Sequence, residues 1–155
     1  MSRPRPGTPS SADHPDPHRE LLEGVARELS DAAPAGWFRI DLTFLATAPV
    51  SHASLAVLMP GGDMVPVRIP TPVGHALRAL RDLMYRPGAG TWFSLRFTVD
   101  PPLSYRVMFN FDHDPNWSPG IEADAWRADL ATYPRDPEHV PDWLRARLAE
   151  PTPGY

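Results

Sequence analysis

The sequence predicts an α+β domain in which an antiparallel sheet of about five strands carries helices mainly on one face, in the order α-βββ-α-ββ-αα. Three observations support this. Segments of strict two-residue alternation are grouped, with segments of helical apolar spacing between the groups. Pro60-Gly61-Gly62-Asp63 and Asp100-Pro101-Pro102 supply turns between neighbouring strands. At 155 residues the chain holds about one domain's worth of core.

Residues 1–17 hold five prolines among Ser, Thr, Asp and His, and bury too little apolar area to offset ordering entropy. They are expected to form a disordered tail, leaving a domain over 18–150 and a frayed end at 151–155. The first helix is expected over Pro17–Ala33, with Leu21, Leu22, Val25, Ala26 and Leu29 on one stripe and Pro34 and Gly36 ending it. In Trp37–Leu45, Phe38, Ile40, Leu42 and Phe44 alternate with Arg39, Asp41 and Thr43. A second strand spans His52–Met59. Pro60-Gly61-Gly62-Asp63 turns it into a third, Met64–Ile69, where Pro66 demands an edge or a bulge. From Pro72 to about Arg86 the buried stripe of a second helix is Ala76, Leu77, Leu80, Leu83 and Met84, closed by Pro87-Gly88. Thr91–Val99 alternates cleanly, with Phe93, Leu95, Phe97 and Val99 inward. After Asp100-Pro101-Pro102, Tyr105–Asp112 returns with Tyr105, Val107, Phe109 and Phe111 on one face. Two helices complete the domain. Trp126, Leu130 and Tyr133 line Ile121–Tyr133, and Val140, Leu144 and Leu148 line the last.

Composition narrows the chemistry. The chain has no cysteine, which excludes disulfides, a thiolate zinc site and a cysteine nucleophile. All 15 basic residues are arginine, a signature of a GC-rich genome. No apolar run approaches the length of a membrane span, and Arg3 and Arg5 precede no hydrophobic stretch, so a cytoplasmic protein without membrane association is expected. Residues 1–99 carry 10 Arg against 9 acids, and residues 100–155 carry 5 Arg against 10 acids. An acidic last third argues against a nucleic-acid partner, which needs a cationic face, and suits a basic protein.

Motifs for turnover are missing. There is no Gly-x-Ser-x-Gly elbow, and with no lysine there is no P-loop. Gly88-Ala89-Gly90 lies between helix and strand, the reverse of a dinucleotide fold, and reads as a loop. Asp112-His113-Asp114 at a strand end points its side chains to opposite faces, and His14, His18, His52, His75 and His139 lack ligand spacing. Asp112, Asp114 and Glu122 are the acids nearest in sequence that could pair for acid–base work, but a solvated or protein-facing patch explains them better. No cofactor and no catalytic residue are expected.

Residues suited to a partner are present. Trp92 shares its parity with Ser94, Arg96 and Thr98, and Trp and Arg on one exposed sheet face are the types that dominate interface energetics. Trp117, in the turn Asp114-Pro115-Asn116-Trp117, either plugs the core or meets a partner. Asp112, Asp114, Glu122 and Asp124 supply negative charge.

Phe109-Asn-Phe-Asp-His-Asp114, Trp117, Trp126, Tyr133-Pro-Arg-Asp-Pro-Glu-His-Val-Pro141 and Trp143-Leu144 together resemble the YezG-like (DUF600) family of immunity proteins. The resemblance spans about residues 18–148 and is distinctive over 105–144. It implies an antitoxin of a bacterial polymorphic-toxin system, without cofactor or catalysis, that binds a cognate toxin domain such as an NAD-glycohydrolase or a nuclease. The proline-rich ends depart from the pattern. Within this stretch Asp136 is placed to cap a turn opened by Pro137, and Arg135 reads as a structural tie to an acid. Two other readings compete: a small-ligand-binding or enzymatic α+β domain, and a structural module from a larger toxin polypeptide.

Overall fold

The computed structural model describes residues 16–151. The expected tail therefore lies outside the described residues except at its end, where Asp16 and Pro17 are ordered into the first helix. The elements are α1 (Pro17–Ala32), β1 (Arg39–Ala46), β2 (Ser51–Leu58), β3 (Met64–Pro66), α2 (Thr71–Leu83), β4 (Ser94–Asp100), β5 (Ser104–Asn110), α3 (Ala123–Thr132), a 3-10 turn at Pro137–His139, and α4 (Asp142–Leu148). All five strands are antiparallel, in the order β3-β2-β1-β4-β5. This is the expected α+β architecture. No helix among the described residues is long and apolar enough to cross a membrane.

Local chemistry explains the boundaries. The Asp16 carboxylate accepts the backbone N–H groups of His18 (3.0 Å) and Arg19 (3.4 Å), and Pro17 occupies the first turn, so α1 starts one residue after its cap. Gly61 and Gly62, both at φ near +100°, make the β2–β3 turn that a side chain would strain. Pro66 ends β3 after three residues at the sheet edge.

Two cores result. The larger lies between one sheet face and α1 and α2: Ile40, Leu42, Phe44, Leu55, Val57, Leu95, Phe97 and Val99 meet Val25, Ala26, Leu29, Val73, Leu77 and Leu80. The smaller joins Phe93 to Trp126 of α3 and Leu144 of α4, with Trp117 and Trp143 around them. Phe93 and Trp126 each meet Trp143 edge-on, with ring centroids 5.0 and 5.3 Å apart.

Three apolar assignments are corrected. Phe38 is 54% exposed, because β1 begins only at Arg39 and its inward row starts at Ile40. Leu83, at the last turn of α2, is exposed, and Arg81 takes the inward position in its place. Phe93 is buried as expected but not in the β4 row. The chain bends at Phe93 before β4 begins, so its ring packs into the smaller core while Trp92 packs into the larger.

A candidate partner-binding face and its supports

The second face of the sheet carries the other parity of each strand, and its registers bring together residues distant in sequence. Asp41, Thr98 and Arg106 form one cross-strand row, and Thr43, Arg96 and Met108 the next. Arg39 and Asp100 end the face. Arg96 grips the Asp41 carboxylate with two parallel bonds, Nη2 to Oδ2 at 2.6 Å and Nε to Oδ1 at 3.0 Å. That hydrogen bond and the charge behind it raise the Arg96 pKa above its ordinary value. Arg39 donates to Asp100 at 2.8 Å, and Arg106 stands 3.9 Å from the same carboxylate. Between these pairs Met108 is 72% exposed. A shallow hollow of about 230 Å³ is lined by Arg39, Arg96, Thr98, Arg106 and Met108. Over these rows the face is half-buried to exposed, and only at its far end, where Leu45 is 8% exposed, is it covered.

Of the residues expected to bind a partner, Arg96 is where the alternation placed it. Trp92 is not. It is fully buried, with its ring against Phe44 (6.1 Å) and Phe109 (5.9 Å) in the larger core. The strict alternation used to place it fails at the bend before β4, so parity does not carry back to residue 92. Its indole N–H is buried without a hydrogen-bond partner among the described residues.

The acids separate into three places. The Asp112 side chain is 77% exposed, 3.9 Å from Arg135. Asp114 accepts the Asn116 N–H at 2.9 Å, in the turn that puts Asn116 at φ +55°, and accepts from Arg147 at 3.3 Å. Trp117, which this turn delivers, is half-buried and meets Trp126 edge-on at 6.2 Å, plugging the smaller core. Glu122 and Asp124 flank the start of α3, where Pro49, Val50, Ile121, Ala125 and Ala128 line a shallow groove of about 470 Å³. Asp124 is bonded to Arg127 at 2.6 Å. Charge in the last third is thus partly met by its own arginines, and the acids do not converge. Among the described residues no cluster of three or more His, Asp or Glu could hold a metal ion.

Two arginines with buried side chains, Arg81 and Arg135, hold this arrangement. Arg81 of α2 and Asp129 of α3 form a buried two-pronged ion pair, Nη2 to Oδ2 at 2.9 Å, with Nη1 on the other oxygen. Arg81 Nε also donates to the Trp92 carbonyl (2.7 Å), and Asp129 accepts the Ala48 N–H (2.7 Å). Both residues were visible as charged positions on otherwise apolar helical stripes, three or four residues from Leu77, Trp126 and Tyr133. That was the available signal. Tyr133 lies beneath the Arg81 guanidinium (5.1 Å) and donates to Asp82 (3.1 Å); burial, then that bond, raises its pKa.

Arg135 is a structural tie, though its main partners are carbonyls. Its Nη2 donates to Thr91 O and Phe111 O, both at 2.8 Å, and Nη1 to His139 O at 3.0 Å. The guanidinium stacks on Phe93 at 4.4 Å, and burial lowers its pKa, partly countered by Asp112. Asp136 stands at the cap position before Pro137, but its side chain makes no capping bond. Gly90, at φ +88°, leaves room for Arg135: a β-carbon there would overlap the guanidinium. Gly90→Ala is therefore expected to cost roughly 1–3 kcal/mol, from backbone strain and the displaced arginine, and to lower the thermal midpoint. An unchanged midpoint would show that Arg135 moves aside freely.

No family model matches this chain, and no curated protein matches it. The functional reading therefore stands on the residues and their geometry.

Proposed function

We propose that this protein is an immunity protein that acts in the cytoplasm, where it binds a cognate bacterial toxin domain and neutralises it by direct contact. The observation that carries the reading is the uncovered sheet face. Arg39 and Arg96 are hydrogen-bonded there to Asp100 and Asp41, with Arg106 3.9 Å from Asp100, around the exposed apolar side chain of Met108. Pre-paired arginines lose little side-chain freedom when a partner binds, and arginine beside apolar surface is the composition of interface hot spots. The resemblance of residues 105–144 to YezG-like immunity proteins supports the same reading. In this proposal Arg96 and Met108 are contact residues, Asp112, Glu122 and Asp124 add peripheral charge that steers a basic toxin, and Trp92 and Trp117 act as core supports.

Co-expression with the product of the neighbouring reading frame tests it. Growth rescue and co-purification with a toxin domain, an NAD-glycohydrolase or a nuclease, are expected, and a rise in salt should slow association. Arg96→Ala combined with Arg106→Ala should weaken that complex at least about tenfold, while leaving the unfolding midpoint of the free protein nearly unchanged. Full binding by the double variant would remove the sheet face from the interface. Absence of rescue and of any captured toxin domain would remove the function.

A further inference from the structure

We infer that β5 is a self-complementary edge through which two copies of this chain join their sheets about a two-fold axis. The two edges of the sheet differ. The β3 edge is three residues long and ends in Pro66, a device that blocks strand addition. The β5 edge is seven residues long, contains no proline or bulge and a single charge, Arg106, and has no further strand beside it among the described residues. Just past Asn110 the chain is closed by side chains: Arg135 donates to the Phe111 carbonyl and Trp143 Nε1 to the Asp112 carbonyl at 2.7 Å. The open edge is therefore Ser104–Asn110.

About Val107, the segment Ser-Tyr-Arg-Val-Met-Phe-Asn sets aromatic against aromatic (Tyr105, Phe109) and polar against polar (Ser104, Asn110), with Arg106 and Met108 the one unlike pair. Antiparallel pairing with a second copy about Val107 sets Val107 opposite itself. Tyr105 then faces Phe109 of the other copy, Arg106 faces Met108, and Ser104 faces Asn110. Every pair matches in character or is neutral, and no like charges stand directly opposite. The register also keeps faces consistent: Tyr105, Val107 and Phe109 stay on the helix-covered side. These three are only partly buried, whereas Leu95, Phe97 and Val99 beside them on β4 are 2%, 0% and 0% exposed, so a second copy would complete their burial. Arg106 meets its own copy only diagonally, at about 7–8 Å between the backbones, and leans back towards Asp100. A two-fold of this kind closes on itself and yields a dimer, not a fibre.

The test uses Met108, whose exposure keeps substitutions out of the core. In the dimer, Met108→Glu places a carboxylate opposite Arg106 of the other copy, twice by symmetry, and Met108→Lys places a cation there. Sedimentation of the full chain should show a concentration-dependent dimer. Its dissociation constant should be about thirty-fold or more tighter for the Glu variant than for the Lys variant, from the two equivalent pairs. Amide exchange over 104–110 should slow as concentration rises. Monomers at every concentration for the parent and the Glu variant, or both substitutions shifting dimerisation in the same direction, would overturn the inference and leave the edge to a foreign strand. The experiment needs no toxin, so its outcome is independent of the proposed function.

Discussion

Asp129→Ala is expected to remove about 3–5 kcal/mol of unfolding free energy, because it leaves the Arg81 guanidinium charged and buried with no carboxylate. The side chains are 3% and 5% exposed, so water offers little substitute. The loss also strands the Ala48 N–H, which donates to the same carboxylate. A typical domain holds only about 5–15 kcal/mol in total, so the variant is expected to unfold at much lower urea. Replacing both partners, Arg81→Met with Asp129→Leu, should recover a large part of the loss, since apolar substitutes for a buried pair are often neutral. Recovery should stay incomplete, because the Ala48 N–H and the Trp92 carbonyl still lack partners, at about 1–3 kcal/mol each. Urea denaturation of the two single variants and the double variant reads the coupling directly. A loss under about 1 kcal/mol in Asp129→Ala, the scale of a surface pair, would mean that α2 and α3 are not held together this way.

Trp92→Ala should be comparably damaging, at about 3–5 kcal/mol, since it empties a fully buried site between Phe44 and Phe109. Trp92→Phe should cost distinctly less. Phenylalanine retains much of the packing and removes an indole N–H that is buried without a partner among the described residues, a group whose desolvation costs about 1–3 kcal/mol. The comparison separates core from interface. If Trp92 were an exposed anchor, alanine would leave the urea midpoint unchanged and affect only the toxin complex. A large shift in the free protein, with phenylalanine close to the parent, is the expected pattern.

Arg96 and Trp92 mark where sequence reading succeeds and where it fails. Arg96 was placed on the outer sheet face by alternation within β4, and it is there, because a strand's two-residue period holds as long as the strand is regular. Trp92 was placed by carrying the same parity two residues back, across the bend at Phe93, where the period no longer applies. Arg39 and Asp41 were visible as the polar alternates of β1. Their pairing with Asp100 and Arg96 was not, since it depends on the β1–β4 register across 61 and 55 residues of chain. The acidic residues show a similar limit. A net balance over the last third counts charges without regard to their positions, and so misses that the fold sets Arg127, Arg135 and Arg147 against Asp124, Asp112 and Asp114.

By itself the sequence determined the order of helices and strands, their turns and most of the inward row, because each depends on contacts within a few residues: the helical stripe, the alternating strand, the proline or glycine that ends them. Tertiary structure alone decided that Trp92 is core, that Arg81 and Asp129 meet, and that one sheet face remains open with its arginines already paired. Those outcomes depend on through-space distances between segments tens of residues apart, and on the desolvation that buries a charge only where its counter-charge is brought to meet it.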